Sequence, residues 1–146
     1  MAEAKRFAAD TTVAASGSKT ELDALLLKHG ATQRGIFEEA GRGVVMFTMQ
    51  GRQIRLTVKL PRLEAARNPR ERAKAEQEER AAWRRVLLIT KAKLEIVFDS
   101  GGSVETEFMA NVMLPDGRTV GEALQPQLAQ SYADGQMPPL LPGPTK

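Results

Sequence analysis

Side chains suited to acid–base, metal or nucleophilic chemistry are sparse in this chain. It has one histidine, His29, and no cysteine. A nucleophilic triad needs a base, usually histidine. His29 closes a helical pattern, LDALLLKHG, where a cationic imidazole would favour the helix dipole. A classical zinc site lacks ligands. Glu38 and Glu39 are neighbours in an expected strand and therefore point to opposite faces. Glu105 and Glu107, with Asp99 nearby, would form a magnesium cluster if 103–108 were a strand. The lysines a nuclease would add, Lys91 and Lys93, fall instead on an expected helix. GRG (41–43) and SGG (100–102) are too short for a phosphate loop or dinucleotide fingerprint. Arg118, before a helix start in LPDGRTVGE, would suit an anion, but a turn and cap explain it more simply. No cofactor and no metal are expected, and the chain reads as a non-enzyme.

The remaining chemistry is cationic. GRQIRLTVKLPR, residues 51–62, carries four cations and no anion. Its alternation predicts a strand with Ile54, Leu56, Val58 and Leu60 on one face and Gln53, Arg55, Thr57 and Lys59 on the other. Arg52 and Arg62 mark its ends. A following helix adds Arg84, Arg85, Lys91 and Lys93, and steps of four and seven bring Arg80, Arg84 and Lys91 toward one side. Residues 1–62 hold ten Lys/Arg against six Asp/Glu, 63–98 nine against six, and 99–146 two against six. A surface built from Arg52, Arg55, Lys59, Arg62, Arg80, Arg84 and Lys91 would follow a phosphate backbone. Charge on an exposed sheet face also has a plainer use, protecting against edge pairing. One tryptophan, one tyrosine and five phenylalanines, most expected in the core, favour backbone contact over base reading.

The elements that position these residues read as follows. Residues 1–17 are small and polar and suggest a flexible arm whose Lys5 and Arg6 could reach a polyanion. Ser18 and Glu21 have capping-box spacing, and Leu22, Leu25 and Leu26 predict a helix over about 19–29, stopped by Gly30. Three strands follow, QRGIFEEA, a central GVVMFTMQ, and the cationic strand, with a tight turn at Gln50-Gly51. Asn68 and Pro69 open a long helix to about Phe98, with Trp83, Leu87, Thr90, Leu94 and Val97 on one face. Its first turns, through Arg80, should extend into solvent. Residues 103–113 fit helix or strand, and helix is favoured. Thr119 and Glu122 form a second capping box before a helix over about 120–132. MPPLLPGPTK has too many prolines for regular structure. The fold class is α+β: an N-terminal helix, a three-stranded antiparallel meander, a long basic helix, then short helices and a Pro-rich tail. The domain reading is an arm at 1–17, one domain at 18–136 and the tail at 137–146.

The chain has 146 residues, 42 % hydrophobic and 27 % charged, which suits one globular domain. No apolar run reaches the ~18 residues of a membrane span. The first residues lack the apolar stretch of a secretory signal. A cytoplasmic setting is expected, with no membrane partner.

WRRVLLITKAKLE (83–95), LPDGRTVGEAL (114–124) and MPPLLP (137–142) resemble an uncharacterised family of small phage and prophage proteins. LLLKHGATQRGIFEEAGRGVVMFTMQGRQIRLTVKLP (25–61) resembles the first half of that family, so the likeness covers most of residues 20–142. It implies a mobile-element setting, hence a host-cell cytoplasm, and no named activity. The element order alone is similar to the core of Rad52-type single-strand annealing proteins, ring-forming proteins with a basic groove for single-stranded DNA, although no motif of theirs is clearly matched. The function expected is nucleic-acid binding, most concretely binding or annealing of single-stranded DNA in recombination, with a homo-oligomer as one form it could take. The alternative is a protein–protein module, an inhibitor or adaptor such as an anti-defence protein acting on a host protein. Its surface would use Met46, Met49, Met109, Met113 and the MPPLLPGP tail.

Overall fold

The Gln50-Gly51 turn sets the register of the sheet. Both residues have positive φ, 50° and 74°, as a two-residue hairpin turn of right-handed twist requires. The turn joins β2 (Arg42–Met49) to β3 (Arg52–Lys59), and Gly41, at φ 83°, helps turn β1 (Arg34–Glu39) into β2. The computed structural model describes residues 6–137 and 139. Its sheet is an antiparallel meander in the order β1-β2-β3, so the apolar second strand is central as expected. Gly43, Val45, Phe47 and Met49 of β2 are buried, as are Ile54 and Val58 of β3, while Leu56 is partly buried. Arg55, Thr57 and Lys59 face the other way, toward the side we term the open face.

Two helices cover the buried face. α1 (Ala15–Lys28) starts about four residues earlier than the capping-box spacing suggests. Its N-cap is Ala14, and Ser18 is fully buried, in line with Leu22 and Leu26. Steps of four keep these three residues on one face, so packing, and not the local cap pattern, fixes the start. Residues 15–17 therefore belong to the helix and not to an arm. Gly30, at φ 88°, ends it, and the Ala31 N–H bonds Leu26 O at 3.0 Å in a Schellman-type closure.

α2 (Pro69–Asp99) is capped by Asn68, whose Oδ1 accepts from Glu71 N at 2.9 Å. Its 31 residues span about 46 Å. Trp83, Leu87, Thr90, Leu94 and Val97 are buried along one face, as their spacing predicts. The helix is exposed from Pro69 to Lys74, but half-buried positions begin at Ala75, sooner than expected. There the segment preceding α1 lies against it. Gln77 Nε2 donates to Ala9 O and Thr11 O at 2.9 and 2.8 Å, and Arg85 Nε to Phe7 O at 3.0 Å. Lys5, Pro138 and residues 140–146 lie outside the described residues.

The ambiguous stretch after α2 divides between its two readings. α3 (Val104–Glu107) is capped by Ser103 and leads into a short 3-10 turn at Met109–Asn111. The chain then extends: Val112 bridges Ile54 on the outer edge of β3, and Met113 N donates to Gln53 O at 2.8 Å. Phe108 is buried edge-on against Phe47, with ring centroids 5.7 Å apart. α4 (Val120–Asp134) starts at the expected Thr119/Glu122 capping box and ends at Gly135, φ 71°. The whole is an α+β fold, with α1 and α2 packed on one face of a three-stranded antiparallel sheet.

Candidate nucleic-acid interface

The seven expected cations do not share one patch. Arg52 Nε lies 2.7 Å from Glu105 Oε2 at the start of α3. Arg55 pairs with Glu122 in the first turn of α4 and also donates to Gly117 O at 3.2 Å. Arg84 reaches back to Glu21 of α1, 3.0 Å away. Arg80 donates through Nε and Nη2 to Gln77 Oε1 at 3.0 and 2.7 Å, which orients the amide that grips Ala9 and Thr11. Lys91 is exposed on α2, seven residues beyond Arg84. Lys59 and Arg62 remain near each other, at the far end of β3. The Arg62 side chain lies over Gly41, whose added Cβ would sit 3.2 Å from its Nε.

This division follows from how the acidic last third of the chain packs. Glu105 and Glu122 both settle beside the beginning of β3, while its end meets α2 and the N-terminal segment. Arg55 holds the Glu122 carboxyl below its ordinary value, helped by the backbone N–H at Thr119. Arg118 does the same to Asp116 through a side-chain hydrogen bond. One end of β3 is thus neutralised by carboxylates. The other is not.

At that second end lies a groove of about 760 Å³, lined by Arg6, Lys59, Lys74 and Arg85 with one carboxylate, Glu78. Among the described residues none of the four cations stands in an ion pair. Ala81 and Ala82 form part of the floor, and their small side chains leave the space open. Lys74 escapes a sequence reading centred on the strand, and Arg85, named among the helix cations, stands outside the expected set. Their signal is nonetheless present: 74, 78, 81 and 85 advance by four, three and four and return to one face of a helix.

The other candidate chemistry is absorbed locally. His29 caps α1, with Nδ1 2.9 Å from Leu25 O and its ring 5.1 Å from that of Phe98. Lys93 Nζ donates to Glu107 O at 3.0 Å and lies over the Phe108 ring, fastening α3 to α2. Glu105 is taken by Arg52, and among the described residues no three His, Asp or Glu side chains gather as a metal site would need. No described helix is long and apolar enough to cross a membrane. No protein-family model, curated protein or solved structure matches the chain.

Proposed function

We propose that this chain is a non-enzymatic nucleic-acid-binding protein that holds a phosphate backbone in the groove between the end of β3, α2 and the segment before α1. The observation that carries the reading is the set of Arg6, Lys59, Lys74 and Arg85 around one cleft against the single carboxylate of Glu78. Such a cleft concentrates positive potential. Each phosphate it neutralises releases condensed counterions, so binding weakens steeply as salt rises. Arg52, Arg55 and Arg84, expected to contribute, drop out because carboxylates already hold them. Strand annealing in recombination is the concrete role that the element order suggests for such a groove, and the sequence resemblance suggests a phage-type setting.

The test is fluorescence anisotropy of a labelled oligonucleotide at low and high salt. The Lys59→Ala/Lys74→Ala/Arg85→Ala variant should lose most of the salt-dependent binding. Arg52→Ala/Arg55→Ala should retain it. The reverse pattern, or wild-type binding by the triple variant, rules the groove out.

A second reading has its own support. Leu124, Leu128 and Tyr132 recur every four residues on α4, and Leu128 and Tyr132 are 46 % and 91 % exposed. They form an apolar stripe along α4 suited to a protein partner or a second copy. Light scattering of the wild type and of Leu128→Glu/Tyr132→Glu distinguishes it: a mass that falls in the variant supports association through α4.

A further inference from the structure

The groove does not end at Lys59. On the open face of the sheet, Lys59 is the cross-strand partner of Arg42, and Arg42 is the partner of Glu39. Two cations directly opposite each other on one face repel. Glu39 offers Arg42 only a long contact of 3.5 Å between exposed groups, which relieves little of it. The next row along the same face is Phe37, Val44 and Thr57. Phe37 is 57 % exposed in the middle of a strand. Gly35 explains how it is held: a Cβ there would lie 2.8 Å from the Phe37 ring, so the ring lies across bare backbone that any other residue would obstruct. An aromatic ring supported from below, on the same open face as Arg42 and Lys59 and one strand row away from them, is what a stacked base and its neighbouring phosphates require.

Building on the proposed groove, we infer that the bound nucleic acid is single-stranded and leaves the groove across Lys59 and Arg42, with one base stacked on Phe37. Lys59 belongs to both surfaces, which makes the path continuous. The groove lining itself contains no aromatic residue, so contacts there go to phosphate and are blind to strandedness. Phe37 supplies the discrimination, because a base within a duplex is already stacked and cannot offer its face.

The experiment compares binding of a labelled oligothymidylate with binding of the matching duplex, for wild type, Phe37→Leu, Phe37→Trp and Lys74→Ala/Arg85→Ala. Phe37→Leu keeps apolarity but removes the π face, and should weaken single-strand binding about ten-fold. The preference over duplex should shrink by the same factor. Phe37→Trp should bind as wild type does, and its emission should be quenched on adding the oligothymidylate. Trp83 is fully buried and provides the unquenched background in the wild type. If Lys74→Ala/Arg85→Ala weakens binding while Phe37→Leu changes nothing and Phe37→Trp is not quenched, the path over the sheet is wrong and the groove stands. If no variant and no strand type shows salt-sensitive binding, both fall. Emission of Phe37→Trp that changes with protein concentration alone would assign the face to self-association and overturn the inference.

Discussion

Trp83 has no exposed surface, and it occupies the space where Gly43 would carry a Cβ, 2.6 Å from its ring. One glycine on the central strand thereby lets the largest core side chain pack directly against the strand. Gly43→Ala should destabilise by roughly 1–3 kcal/mol, the usual result of overpacking a filled core, read as a lower urea midpoint at unchanged slope. At Gly51, where the φ of 74° makes a side chain unfavourable but nothing is struck, alanine should cost about 1–2 kcal/mol. The cations separate in the same residue-by-residue way. Arg84→Ala breaks a partly exposed pair with Glu21 and should cost no more than about 1 kcal/mol, leaving the proposed nucleic-acid binding intact. Lys74→Ala should leave stability alone and lower the salt slope of the proposed single-strand binding by about 0.7 for each phosphate it no longer neutralises.

At the scale of elements, α4 depends on its first turn. Thr119 and Glu122 close a capping box, and Glu122 also receives Arg55 from β3, so one carboxylate ties the helix both to its own cap and to the sheet. The folded Glu122 carboxyl is held below the ordinary 4.5. Its contribution to stability is therefore fully present above that value and is lost as pH falls through the lowered one. Thermal unfolding followed downward from neutral pH should show a loss beginning near the ordinary glutamate value, and Glu122→Gln should flatten that part of the profile. Thr119→Ala should cost about 1 kcal/mol at neutral pH. Asn68 acts likewise on α2, but the turns it caps are exposed, so Asn68→Ala should fray them locally. Faster amide exchange around residues 70–75, with the Trp83 region still protected, is the expected signature. Because Lys74 sits in those turns, the proposed nucleic-acid affinity should drop slightly with it.

Across the whole molecule, the chain's charge asymmetry becomes a spatial one. The first two thirds are cationic and the last third acidic. The fold brings that acidic third to the beginning of β3, where Glu105 and Glu122 neutralise Arg52 and Arg55. Around the other end of β3, Lys59 and Arg62 and, on α2, Lys74 and Arg85 stand in no ion pair among the described residues. If four phosphates are neutralised there, log K against log salt should fall with a slope of about −3 for a single strand. Glu105→Gln/Glu122→Gln should release two cations and steepen the slope. An unchanged slope would mean that the acidic segment does not govern the binding surface.

The alternation in β3, the Gln50-Gly51 turn, the Asn68-Pro69 start of α2 with its buried face, and the Thr119/Glu122 cap were all legible in the sequence. Each is set by steric or hydrogen-bonding rules that act within a few residues. Where α1 begins, how 103–113 divides, and which cations stay unpaired were not. Ser18 is drawn into the helix by burial beneath it, Val112 is drawn out straight by the open edge of β3, and Arg52 and Arg55 lose their freedom to carboxylates 53 and 67 residues away. Composition and spacing alone determined that this is an α+β chain rich in positive charge. Only the tertiary structure decided where that charge is left uncompensated, because pairing between oppositely charged groups depends on distance in space and has no signature in separation along the chain.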